Sequence, residues 1–194
     1  MDKQNVMAGM PNNVGAIFRA PLGTPLPTDA TTALDSAYKE LGYASSDGWA
    51  RQVNKSYNAL NAWGGDEVGK ARSEHSVGFN VTLIEDLNGD VQTAKWGTAA
   101  VTVTPANEAH GNLVTVTYEG EETDPAVWVF DMYDEGRLHR TVFPNAKDVT
   151  ESFEQTFSDA EAVGLPFEMT AYRGPDGAYF VDYLDDGQKV VAGP

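Results

Sequence analysis

The feature that most limits the fold is a period of two in the apolar residues. Val77, Phe79, Val81 and Leu83 alternate with Ser76, Gly78, Asn80 and Thr82. Only an extended strand with one buried face separates residues in that way, and this one is expected to start near Lys70. Val101 and Val103 alternate with Thr102 and Thr104, and Val114, Val116 and Tyr118 with Thr115 and Thr117. Val127–Met132 is a continuous apolar run with one acid, Asp131, and fits a strand covered on both faces. Pro175-Asp176-Gly177 is a hairpin turn signal, with Ala178–Leu184 as the last strand. The chain is therefore expected to be mainly β.

From Leu138 to Ser158 hardly a breaker occurs apart from Pro144-Asn145, and Val163–Tyr172 follows after a short link. Within 149–158 one face is Val149, Glu151, Phe153, Gln155 and Phe157; the other is Thr150, Ser152, Glu154, Thr156 and Ser158. In Leu165–Tyr172 the faces are Leu165, Phe167, Met169 and Ala171 against Glu168, Thr170 and Tyr172. A long strand with a polar face suits an ordinary sandwich with a solvent-facing side. It equally suits a water-filled barrel shared between subunits, in which ring closure removes exposed strand edges. Periodicity does not choose between the two.

Helix is a minor component. Pro11, Pro21, Pro25 and Pro27, with Gly9, Gly15 and Gly23, make the first 30 residues an extended arm in which only Val14–Ala20 suggests a strand. Ala33, Ala37 and Leu41 recur at helical spacing, with Asp29 or Thr31 to cap and Gly42 to stop, so Thr32–Leu41 is expected to be helical. Asp47-Gly48 marks a turn. Asp86–Trp96 suits a second short helix, with Asn88-Gly89 favouring a turn near its start. The expected organisation is an N-terminal arm and loop over 1–30 and one β-rich domain over 31–194.

Charge narrows the function. The chain carries 29 acidic and 13 basic residues, a net −16. The imbalance is uneven: 11 acidic and 8 basic up to residue 97, then 18 and 5. Neutralising phosphates takes clustered Lys and Arg, so stable nucleic-acid binding is excluded as a function class. The N-terminus has no apolar core of signal-peptide length, no run suits a membrane helix, and cysteine is absent, which rules out disulfides and thiolate metal sites.

Catalytic and metal patterns are weak. His75, His110 and His139 lie far apart, without metal-ligand spacing. Asp86-Leu-Asn-Gly-Asp90 places its glycine wrongly for a calcium loop, and Glu119–Asp124 suits a solvated acidic loop. A glycosidase pair such as Glu154 and Glu168 has no specificity when drawn from 29 carboxylates. Trp49, Trp63, Trp96 and Trp128 suit β-protein packing better than sugar stacking. No cofactor or metal is expected, and no catalysis. A carbohydrate-binding β-module remains the alternative, and a hydrolase on a β-scaffold a third reading.

Val14-Gly-Ala-Ile-Phe-Arg-Ala-Pro-Leu-Gly-Thr-Pro-Leu-Pro-Thr-Asp29, followed by Leu41-Gly-Tyr-Ala-Ser-Ser-Asp-Gly-Trp49, resembles the opening of major tail-tube proteins of long-tailed phages (siphophages) of actinobacteria. The later order of a long strand over 70–85, a connection ending at Trp96-Gly97, and a late long hairpin is similar to the family plan. The resemblance implies a β-sandwich or barrel subunit, with an extended arm and long hairpins that contribute to a shared ring barrel. It implies hexameric rings stacked into a tube, through which DNA passes without stable binding. The partners would be the chain itself and tape-measure, tail-terminator and distal tail proteins, in a virion tail assembled in the host cytoplasm. On that basis Ser152, Glu154, Thr156, Ser158, Glu168 and Thr170 are expected to face the lumen. Ile17, Phe18, Pro21, Leu22, Pro25 and Leu26 are expected to touch neighbouring subunits. The facing of Lys70 and Arg72 is left open.

Overall fold

A computed structural model describes residues 5–12 and 16–189. In chain order its elements are β1 (Ile17–Pro21), β2 (Lys39–Glu40), β3 (Ala44–Asn61), β4 (Glu67–Leu83), α1 (Gly89–Trp96), β5 (Val101–Thr104), β6 (Leu113–Val116), β7 (Ala126–Asp134), β8 (Arg137–Asp148), β9 (Leu165–Ala171) and β10 (Val181–Asp185). At 46% strand and 5% helix the fold is mainly β, as the alternating runs require. The main sheet is antiparallel, in the order β2-β1-β7-β8-β9-β4-β3, with β10 on β8; β5 and β6 form a separate pair.

The sheet rolls over so that distant strands pack face to face as a sandwich. Phe79 on β4 meets Trp128 on β7 at 5.5 Å and Phe143 on β8 at 4.5 Å, although β4 pairs with neither strand. Trp49 on β3 stacks on Phe130 of β7 at 4.3 Å. The inward residues of β4 and β9 complete this core: Val77, Phe79, Val81 and Leu83 with Leu165, Phe167, Met169 and Ala171, all buried. Each buried large side chain contributes roughly 1.5–3 kcal/mol, and Phe79 is fully enclosed. Gly78 faces the other way, and a Cβ there would stand 2.2 Å from the Met169 carbonyl oxygen, so β9 lies this close only over glycine.

β7 is covered on both faces, as its unbroken apolar run implies. Ala126, Trp128 and Phe130 enter the main core; Val127 and Val129 join a second cluster with Ala20, Tyr38 and Val142, topped by Phe18, Leu26 and Leu34. Arg140 fastens the covering loop. Its guanidinium donates to both Asp131 oxygens at 2.7 Å and to the carbonyls of Asp29 and Thr32 at 3.0 and 2.8 Å. Burial pushes the Tyr38 hydroxyl up to about 12, and it donates to the Pro25 carbonyl.

Several expectations are corrected. Thr32–Leu41 is not a helix but a series of turns ending in β2. The Asp29 carboxylate accepts from the Thr31 and Thr32 amides and Asp35 from that of Ala37, so side chains take over helix-starting bonds. Leu34 and Tyr38 are then drawn to one cluster and Leu41 to the other. Among the described residues a single α-helix remains, α1, capped by the Asn88 side chain accepting from the Asp90 amide. The Asp47-Gly48 turn is a bulge within β3, between the pairs Ala44/Leu83 and Trp49/Val81, with Gly48 at φ 69°. The turn at 174–178 forms, but its flanking strands do not pair: β9 and β10 both lie on β8. Val14, at the start of the expected first strand, lies outside the described residues.

The largest correction concerns 149–158, which is not a strand. β8 and β9 pair over Ala146–Asp148 and the ladder ends with the Val149 amide on the Glu168 carbonyl. Beyond that point side chains occupy the β9 edge. Thr150 Oγ1 accepts from the Glu168 amide, and the buried Lys95 ammonium donates to the Pro166 carbonyl at 2.6 Å and to Asp148 at 3.0 Å. The chain peels away over α1, with Phe153 5.8 Å from Trp96.

Candidate functional site

The strand before β4 carries no alternation, yet it forms the most prominent feature of the molecule. β3 and β4 are 18 and 17 residues long, but β9 supports β4 only along Val77–Leu83. Residues 54–61 and their partners project beyond the sheet for about 26 Å at ~3.3 Å per residue. The tip, Ala62–Asp66, is closed by the Ala62 amide on the Asp66 carbonyl, with Gly64 and Gly65 at positive φ. Val53, Tyr57, Leu60, Trp63 and Val68 on this hairpin are all exposed, Trp63 fully so. An isolated two-stranded ribbon is marginal in water, so a partner surface is the physical complement of this one.

The root of the hairpin is anchored. Arg51 Nη1 lies 2.7 Å from Asp182 Oδ2 and its guanidinium sits 4.0 Å over the Phe180 ring. Asp182 also accepts from Thr141 at 2.7 Å and lies 3.2 Å from His139 Nε2. Burial works against that carboxylate, but these hydrogen bonds outweigh it and hold it below the usual range.

The outward face of β3, β4 and β9 is polar. The register sets Gln52 beside Gly78 and Asn54 beside Ser76, and Asn80 and Gly78 beside Glu168 and Thr170. Glu168 and Thr170 thus share a broad polar face. Ser152, Glu154, Thr156 and Ser158 are exposed in the segment that leaves the sheet. Of these, Ser152 lines a surface recess with Asn80 and Glu168. Lys70 and Arg72 pair with Ala59 and Tyr57, which share the odd-numbered β3 face with Arg51 and Val53, so they lie off the polar face.

Residues 16–26 are divided between core and surface. Ile17 is buried in its own subunit's core and Phe18 and Leu26 are half-buried against the second cluster, whereas Pro21, Leu22 and Pro25 are exposed. Residues 8–12 lie along β7, the Tyr133 amide donating to the Met10 carbonyl and that of Asn12 to Asp131.

The histidines and tryptophans are scattered over the fold. Among the described residues no group of three or more His, Cys, Asp or Glu side chains is placed to hold a metal. His75 packs edge-on to Tyr179, His110 bonds to Asn107, and His139 to Asp182. The tryptophans do not form one surface: Trp128 is buried, Trp49 and Trp96 half-buried, and Trp63 sits alone at the hairpin tip. No described helix is long and apolar enough to cross a membrane.

No curated protein matches the chain. A family model described as phage tail tube protein matches residues 2–192, nearly the whole sequence. With that match over a mainly antiparallel β-fold, the chain belongs to the phage tail tube protein family and is a structural component of the virion tail.

Proposed function

We propose that the chain assembles into hexameric rings that stack into the tail tube and conduct the genome into the host. The observation that carries this reading is the β3–β4 hairpin, two long strands projecting with apolar side chains exposed and, among the described residues, β3 unpaired on its outer edge. Stacking against other copies satisfies both the edge and the apolar surface. The polar face bearing Glu168 and Thr170, joined by Ser152, Glu154, Thr156 and Ser158, lines the lumen. A lining without clustered cations lets DNA slide, because like charge disfavours phosphate adhesion.

Pro21, Leu22 and Pro25, with the exposed parts of Phe18 and Leu26, contact a neighbouring subunit; Ile17 supports them from within. The tape-measure, tail-terminator and distal tail proteins bind the tube's lumen and ends, and assembly takes place in the host cytoplasm. The chain acts without cofactor and without catalysis. Sedimentation over a wide concentration range tests the reading: rings or tubes are expected, and a monomer persisting at high concentration in the presence of preformed tail tips refutes it.

A further inference from the structure

The segment 149–158 combines properties that do not belong together in a finished molecule. Its ten residues alternate like a strand, and no Gly or Pro interrupts them. Yet after the Val149 amide its backbone joins no ladder, and Phe157 is 72% exposed. We propose that this segment becomes a β-strand in the assembled ring by pairing with the free outer edge of β3 of a neighbouring copy. The inference rests on the ring reading and specifies which two edges meet.

Three observations select this partner. First, among the described residues β3 ends the sheet and no strand lies beside its outer edge along its 18 residues. It contains no proline, one of the devices that blunt an edge, and its bulge at 45–48 lies near one end, leaving 49–56 a regular run. Second, the segment starts from β8, and in the order β8-β9-β4-β3 it emerges on the side of β9 opposite to β3. One subunit thus presents an open strand on one flank and an unpaired extended segment on the other, a head-to-tail relation that closes into a ring. Third, the charges are complementary. On its odd-numbered face β3 carries Lys55, beside an Arg51 already held by Asp182, while 149–158 carries Glu151 on the face opposite to the lumen-facing Glu154, and no base. Opposite charges across a strand pair favour register. Lys95, holding Asp148 and Thr150, keeps the root of the segment fixed, and the later contacts, Phe153 on Trp96 and Gln155 Nε2 donating to Asp86, engage side chains and leave the backbone to pair.

The absence of cysteine makes the test clean. Lys55→Cys and Glu151→Cys, which fall on the same side of the paired strands when Glu154 faces the lumen, are placed in separate chains, mixed, assembled and oxidised, and amide hydrogen exchange is followed in monomer and tube. The expected result is mixed disulfide dimers formed only on assembly, and amides over 151–158 that slow by ~100-fold or more in the tube. Gln155→Pro and Thr156→Pro provide a second reading. Adjacent amides point to opposite sides of a strand, so one of the two removes a ladder bond in any register. Both variants should melt like the parent subunit, and at least one should fail to form tubes. Tubes in which 151–158 exchanges freely, or in which both proline variants assemble normally, overturn this inference and leave the ring reading intact. Slowed exchange without the mixed disulfide overturns β3 as the partner. Failure of the unmodified chain to assemble at all overturns both.

Discussion

Lys95 is the most exacting residue to change, because one buried ammonium holds three elements together. It comes from α1, reaches Asp148 at the end of β8 and the Pro166 carbonyl on β9, and lies over the Phe153 and Phe167 rings at 4.4 and 4.9 Å. The side chains of Lys95 and Asp148 are 3% and 9% exposed, so the pair is desolvated. Lys95→Met removes one charge and strands the other, which costs ~3–5 kcal/mol for a buried pair. The second Asp148 oxygen keeps the Thr150 amide and hydroxyl, which places the cost near the lower end, about 3 kcal/mol. For a chain of this size that corresponds to a fall of roughly 6–12 °C in melting temperature. Denaturant titration at neutral pH measures it, alongside Lys95→Met/Asp148→Asn, in which no charge is stranded and most of the loss is expected to return. A loss under ~1 kcal/mol in the single variant, or no recovery in the double, refutes the account of this corner.

Three further changes probe other parts. Asp182→Asn weakens the hairpin root by ~1–2 kcal/mol at pH 7. Because the folded carboxylate lies below its ordinary value near 3.8, the difference is full above that pH and disappears as pH falls through the folded value, which acid titration of both proteins checks. Glu154→Lys with Glu168→Lys should leave tubes intact, since both positions are exposed, but slow genome ejection in a salt-dependent way; unchanged ejection at low salt places them off the lumen. Replacing Trp63 by Ser should leave subunit melting unchanged, the indole being fully exposed, while weakening assembly; equal tube yield at limiting concentration removes the tip from the interface.

The sequence announced some of these features far more clearly than others, and the reason is burial. β4 and β9 were legible because one face of each enters the core, giving Val77-x-Phe79-x-Val81 and Leu165-x-Phe167-x-Met169. β7 was legible as an unbroken run because both its faces are covered. β3 left no pattern: from Val53 onward both its faces are exposed, so nothing selects apolar residues at a spacing of two. The helical spacing of Ala33, Ala37 and Leu41 was misleading because two different cores claim Leu34, Tyr38 and Leu41. Segment 149–158 shows the reverse failure, a strand pattern without a strand in the subunit. Of the polar-face residues, Glu168 and Thr170 followed directly from alternation, whereas their neighbours Gln52 and Asn54 required the β3–β4 register.

Electron microscopy of the purified chain at high concentration tests the central claim most directly. The account predicts tubes of stacked rings with an open, continuous lumen, the long hairpins buried between copies and the Glu168 face turned inward. Dispersed monomers under the same conditions, or tubes whose lumen is lined by a different face of the sheet, would contradict it.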